Sequence, residues 1–190
     1  MKNLQGTKTA ENLAKAFAGE CQARNRYTFY SRTAAEEGLK EIASVFLEIA
    51  DNERAHAKIF FDFLIEGLGA GVIKVNGDYP IGFGNTEQNL KYAAEGEKAE
   101  WGTIYPAFAE EAKTEGFSEV EAAFRKIIQI EGHHEKLYLK FFDKSKNKAL
   151  FKSNTSVSWK CRNCGYIYEG TDAPVVCPTC LHPQGYFEIL

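Results

Sequence analysis

Residues 42–63 carry an apolar stripe of Ile42, Phe46, Ile49, Phe60 and Phe63, spaced by fours and threes like the core face of a helix, and Glu53 and His56 interrupt it. An ionised carboxylate taken out of water costs several kcal/mol unless it is paired or bound to a cation. The interruption recurs on a second stripe, where Glu131 and His134 break the run of Val120, Phe124, Ile127, Tyr138 and Phe141. Two further helical faces each bring one glutamate inward, Glu20 among Leu13, Phe17 and Tyr27, and Glu97 among Leu90, Ala94, Trp101 and Ile104. The charge must therefore be compensated collectively.

The pattern is an internal repeat. Glu20 and Glu97 are 77 residues apart, whereas Gly38 and Gly116, Glu53 and Glu131, and His56 and His134 are each 78 apart. Two helical hairpins are thus expected as copies. One Glu from each of two helices, with Glu-x-x-His from each of the other two, is the ligand pattern of a dinuclear carboxylate site in a four-helix bundle. Carboxylate oxygens with two imidazoles suit iron or manganese better than zinc.

The copies differ at Glu100, which follows Glu97 by one turn where the first helix has Ala23. This additional carboxylate would let one metal exchange Glu100 for His56 as its charge changes. Tyr27 and Tyr105 lie two turns beyond Glu20 and Glu97, and their hydroxyls are expected to orient carboxylates. The one-residue offset arises between Glu97 and Gly116, an interval that contains Pro106, so a π-bulge, kink or extra turn residue is expected in the third helix.

Along the chain, residues 7–144 read as helix with short breaks at Gly38 and Gly116 and a long glycine-rich one over 67–85. The long break is expected to cross the bundle before Asn85 or Thr86 caps the third helix, and Ser118 with Glu121 reads as a capping box. The expected fold is mainly α: a ferritin-like four-helix bundle over 1–145 with one long crossover, a polar linker over 146–157, and a small metal-bound domain over 158–190. The formal net charge of −3 comes without a basic run, which argues against nucleic acid. No stretch reaches the roughly 20 apolar residues needed to span a bilayer and the start lacks a signal-peptide pattern, so a soluble, cytoplasmic protein is expected.

The last 32 residues are too few to be held by an apolar core alone. Cys161-x-x-Cys164 and Cys177-x-x-Cys180 supply four thiolates in a spacing that suits tetrahedral iron or zinc. Trp159, Tyr166, Tyr168, Tyr186 and Phe187 are expected to shield the sulfurs, with His182 a loop residue. Cys21 reads as an inert thiol facing away from Glu20, and His133 as a neighbour of the site rather than a ligand.

At "FAGECQARNRY", "NERAHA", "EGEKAEWGTIYPAFA" and "IEGHHE", then "CRNCGYIYEG" and "CPTCLHPQGYF", the chain resembles the rubrerythrin family over nearly its whole length. The resemblance implies a di-iron site from Glu20, Glu53, Glu97, Glu100, Glu131 and His134, with Glu53 and Glu131 bridging and His56 alternating with Glu100. It also implies a rubredoxin-like iron on Cys161, Cys164, Cys177 and Cys180. The implied activity is reduction of hydrogen peroxide to water in oxidative-stress defence, with an external donor such as rubredoxin and its reductase and a homodimer or higher oligomer. Glu95 departs from the pattern as an additional acidic residue before Glu97. The runner-up is a ferroxidase or iron-binding protein with a structural zinc-ribbon tail. An oxygenase is a third reading, although no insertion offers it a dedicated substrate pocket.

Overall fold

The computed structural model describes residues 3–190. Helices α1 (Lys8–Glu36) and α2 (Lys40–Leu68) form the first hairpin. The second comprises α3 (Thr86–Ala99), a π-helical turn (Glu100–Ile104), α4 (Tyr105–Thr114) and α5 (Ser118–Lys146). Both hairpin turns end on a glycine in the left-handed region, Gly38 at φ +81° and Gly116 at φ +80°. The matching bonds Leu39 N–H to Ala34 O and Phe117 N–H to Ala112 O close these turns identically.

The repeat extends to the way each hairpin caps the other. Glu37 at the end of α1 accepts from the Thr86 N–H that opens α3, and Glu115 at the end of α4 accepts from the Thr9 N–H near the start of α1 at 2.8 Å. A carboxylate at a helix N-terminus satisfies orphan N–H groups and complements the helix dipole. Each hairpin therefore fixes the register of the other.

Asn85 caps α3 in a full capping box with Gln88, as one of the two expected residues. The box expected at Ser118 and Glu121 is absent: Phe117 holds the cap position without a side-chain bond, and Glu121 accepts from Arg125 instead. The glycine turn already satisfies this helix end.

Residues 69–85 cross the bundle without regular structure, as expected of the long break. Tyr30 O–H ties them down by donating to Gly82 O at 2.6 Å. The π turn lies inside the interval where the repeat gains its extra residue, and Tyr105 N–H reaches back five residues to Glu100 O. Pro106 follows directly, where its missing N–H and its ring already disfavour regular α-helix. The turn corrects one expectation: a straight helix would bring Trp101 and Ile104 inward, but the bulge leaves Trp101 half-buried and Ile104 exposed and buries Tyr105, Ala109 and Ala112.

Strand β1 (Lys152–Cys161) begins inside the stretch expected as a linker. It pairs antiparallel with β2 (Ile167–Asp172) on one side and β3 (Phe187–Ile189) on the other. Trp159, Phe187, Ala173, Cys161 and Cys177 are the small core, with Tyr166 and Tyr186 packed against it. Tyr168 does not join them and is exposed although it pairs directly with Trp159, a correction that follows from its place on the edge strand β2, where its ring lies along Gly170. The module seats on the α1–α2 turn: Gly185 meets the Gly38 carbonyl so closely that a Cβ would stand 1.8 Å from the oxygen, and Lys40 Nζ lies over the Tyr186 ring.

Candidate metal centres

Glu20, Glu53, Glu97 and Glu131 are all fully buried in the middle of the bundle, with His56 and His134 nearly so. They form two overlapping sets of donor atoms, each set within 4.8 Å: Glu20, Glu53, His56 and Glu131 in one, Glu53, Glu97, Glu131 and His134 in the other. Glu53 and Glu131 belong to both. His56 Nδ1 lies 3.0 Å from Glu53 Oε2 and 2.9 Å from Glu131 Oε1, and His134 Nδ1 lies 3.2 Å from Glu53 Oε1 and 2.8 Å from Glu131 Oε2. The two imidazoles stack across the repeat axis with centroids 6.1 Å apart.

Few of these atoms form hydrogen bonds. Among the described residues, Glu20 Oε2, Glu53 Oε1, Glu97 Oε2, both Glu131 oxygens and His134 Nδ1 have no hydrogen-bond partner in suitable geometry. So many orphaned acceptors in one dry place fit a pair of cations and not an apolar core. The electrostatics agree. Burial, then the neighbouring glutamates, raise Glu20, Glu97 and Glu100 well above the ordinary carboxyl range. Burial also pushes Glu53 up, but His134 and His56 outweigh it and bring Glu53 down to about 2. Burial opposes a charged His56 or His134, yet the facing carboxylates lift them to about 9 and about 12.

Glu100 is half-buried and stands outside both donor sets, with its Oε1 beside Gly19 on α1. His56 occupies the place for which Glu100 was expected to compete. The two tyrosines do orient carboxylates, but crosswise: Tyr27 O–H donates to Glu97 Oε1 at 2.5 Å and Tyr105 O–H to Glu20 Oε1 at 2.6 Å. Each supports the glutamate of the opposite hairpin. Trp101, turned out by the bulge, donates from its indole to Glu135 at 2.8 Å. Sequence reasoning missed that contact, and only the repeat offset signalled the rotation behind it. His133 and Glu95 are exposed, and Cys21 is half-buried with burial pushing its thiol up.

In the small domain the four sulfurs also fall within 4.8 Å of one another, with Cys161 and Cys180 3.7 Å apart and Cys164 and Cys177 3.6 Å apart. Two reverse turns present them. Gly165 N–H bonds Cys161 O after the first Cys-x-x-Cys, and Leu181 N–H bonds Cys177 O after the second. The backbone N–H of His182 stabilises the Cys180 thiolate and pulls its thiol down to about 6. His182 itself bonds the Cys180 carbonyl from Nδ1 and leans on Tyr186.

A helical bundle with buried paired donor sets, joined to a four-cysteine module, defines the class: ferritin-like dinuclear metalloproteins carrying a second, sulfur-bound metal. Comparison with known proteins places the chain within that class. The rubrerythrin family model matches residues 11–142, and the model of the rubrerythrin rubredoxin-like domain matches residues 159–188. The chain is 56% identical to rubrerythrin-1 of Clostridium acetobutylicum, over 100% of this chain and 98% of that one. It is 51% identical to the rubrerythrin of Clostridium perfringens, over 100% and 97%. Among solved structures, partially reduced nigerythrin aligns with a TM-score of 0.66 at 28% identity, covering 100% of this chain and 92% of that one. The protein belongs to the rubrerythrin family, and its metal is iron, as a di-iron centre and a rubredoxin-type site. It is an oxidoreductase.

Proposed function

We propose that this protein is a peroxidase that reduces hydrogen peroxide to water and is re-reduced one electron at a time through its four-cysteine iron. The observation that carries the reading is the pair of donor sets sharing Glu53 and Glu131, on the same chain as a site suited to single-electron transfer. A pair of ferrous ions held in the bundle would supply the two electrons that an O–O bond needs, and an iron held by the four cysteines would pass electrons back singly.

The roles of the chain's own residues follow. Glu53 and Glu131, which belong to both donor sets, would hold both ions, with Glu20 and His56 holding one, Glu97 and His134 the other, and Glu100 exchanging with His56 as the charge of the site changes. Tyr27 and Tyr105 fix the orientations of Glu97 and Glu20 through their hydroxyl hydrogen bonds and would offer protons to the reduced oxygen. The bundle, 1–145, and the small domain, 158–190, work as a reaction site and an electron inlet fed by an external donor such as rubredoxin and its reductase. A cytoplasmic homodimer is the expected form.

Peroxide-dependent oxidation of NADH through a rubredoxin and its reductase tests the proposal. The wild-type chain is expected to turn over and Glu97→Ala to fall at least a hundredfold. Equal rates would end the reading. A visible spectrum without strong ferric–thiolate absorption would instead support a structural zinc tail.

A further inference from the structure

Two aromatic clusters flank the di-iron centre, one at each end, and the repeat superimposes them. Tyr27, Tyr30, Phe46 and Tyr138 correspond to Tyr105, Phe108, Phe124 and Phe60, each pair 78 residues apart. The geometry is copied as well. Tyr27–Tyr30 centroids are 6.1 Å apart at 42°, against 6.2 Å and 39° for Tyr105–Phe108. Tyr27–Tyr138 is 5.3 Å at 63°, against 5.8 Å and 66° for Tyr105–Phe60. The packing is the same, so packing does not explain why one cluster has two additional hydroxyls.

Those hydroxyls are costly or purposeful. Tyr138 is fully buried, and its O–H has no partner among the described residues, although Phe60 fills the matching place without that penalty. Tyr30 O–H reaches Gly82 O, and its ring borders an open groove of about 440 Å³ with Arg26, Phe29, Ile81 and Phe83. A row of phenols thus runs from a carboxylate of the metal site to the wall of that groove, where Tyr30 is still buried. At the other end the rings that Tyr105 meets are, among the described residues, the phenylalanines Phe60, Phe108 and Phe124, which resist one-electron oxidation far more strongly than phenols.

We infer that Tyr27 and Tyr30, with Tyr138 beside them, form a one-electron outlet that empties oxidising equivalents from the di-iron centre to the Tyr30 groove. The inference rests on the peroxidase reading. Electrons arriving singly leave the centre at times with one electron instead of two, while peroxide takes two. The second electron then comes from Tyr27, whose phenolic proton passes along its hydrogen bond to Glu97 and into product water. Peroxide, one electron from the centre, one phenol and one further proton become two waters and a phenoxyl radical. An electron from Tyr30 refills Tyr27, which takes a proton back, while the Tyr30 proton leaves through the groove. A small one-electron reductant such as ascorbate restores Tyr30 with an electron and a proton.

The test is freeze-quench electron paramagnetic resonance on iron-loaded protein that has been reduced by one electron per di-iron centre and mixed with peroxide. A phenoxyl signal is expected, with hyperfine splitting that changes on ring-deuterated tyrosine. Tyr27→Phe should lower its yield per peroxide consumed at least fivefold, and Tyr105→Phe should leave that ratio within twofold even if it slows consumption. Tyr30→Phe should slow its decay in ascorbate at least fivefold, with steady-state peroxide turnover within twofold of wild type. Peroxide consumed without a phenoxyl signal, or a signal that survives Tyr27→Phe or is lost equally in Tyr105→Phe, overturns the outlet and leaves the peroxidase reading standing. Peroxide left unconsumed by fully reduced protein removes both.

Discussion

At the scale of single residues, the centre is a set of protons and charges awaiting cations, and this has a measurable consequence without metal. His56 at about 9 and His134 at about 12 stand above the ordinary 6.5, and Glu20, Glu97 and Glu100 stand well above the ordinary carboxyl value of 4.5. Each of these groups holds its proton more tightly folded than unfolded. Its contribution is full below the unfolded value and fades as pH rises towards the folded one. Chelated protein should therefore lose melting temperature between pH 6.5 and 9, read by thermal circular dichroism in EDTA. A flat or rising profile would contradict the arrangement. Glu53, lowered to about 2, works in the opposite sense and only in acid. Because Glu53 reaches both donor sets, Glu53→Ala should lose iron from both positions, whereas Glu20→Ala should weaken one first; iron analysis after gel filtration tells them apart.

Leu181 is a second residue-scale case. It sits at φ +60° in the turn after Cys180, where the matching turn has Gly165 at φ +78°. Its side chain is largely exposed, so little packing compensates the strain. Leu181→Gly should stabilise the iron-loaded small domain by about 1 kcal/mol, seen as slower iron release in denaturant. Faster release would mean that the leucine side chain holds the turn closed.

At the scale of elements, the third helix of the bundle carries the difference between the two copies. The π turn absorbs one extra residue, so Glu97 keeps the register of Glu20 while Tyr105 keeps the register of Tyr27. Removing Thr103, in the middle of that turn, should restore an α-helical ladder and keep Tyr105 inward. It should also swing Trp101 off Glu135. The expected result is a folded, iron-binding bundle in which the Trp101 fluorescence maximum shifts and the oxidised di-iron spectrum changes as Glu100 loses its approach. An unchanged oxidised spectrum would dissociate Glu100 from the ligand exchange.

At the scale of the whole molecule, two folding units meet at a seat made of backbone. Gly185 leaves no space for a methyl group against the Gly38 carbonyl, so Gly185→Ala should undock the small domain without altering either metal's ligands. Hydrogen exchange should rise in residues 150–190 and at the α1–α2 turn, while both iron spectra remain. Unchanged protection would show that the seat adjusts. Among the described residues, no helix is long and apolar enough to cross a membrane.

The periodicity of charged residues on oily stripes picked out the six inward carboxylate and imidazole residues that the bundle brings together, because a helix of 3.6 residues per turn converts spacing into facing directions. The offset of 77 against 78 located the bulge for the same reason. Local spacing did not reveal which helix a side chain meets. The crossing of Tyr27 to Glu97 and Tyr105 to Glu20, the mutual capping by Glu37 and Glu115, the outward turn of Trp101 and the seat of Gly185 on Gly38 all depend on how hairpins lie against each other. The amino-acid sequence by itself determined which groups are buried and charged. Only the tertiary structure decided which of them neutralise, orient and support one another, because those energies depend on distances between segments far apart in the chain.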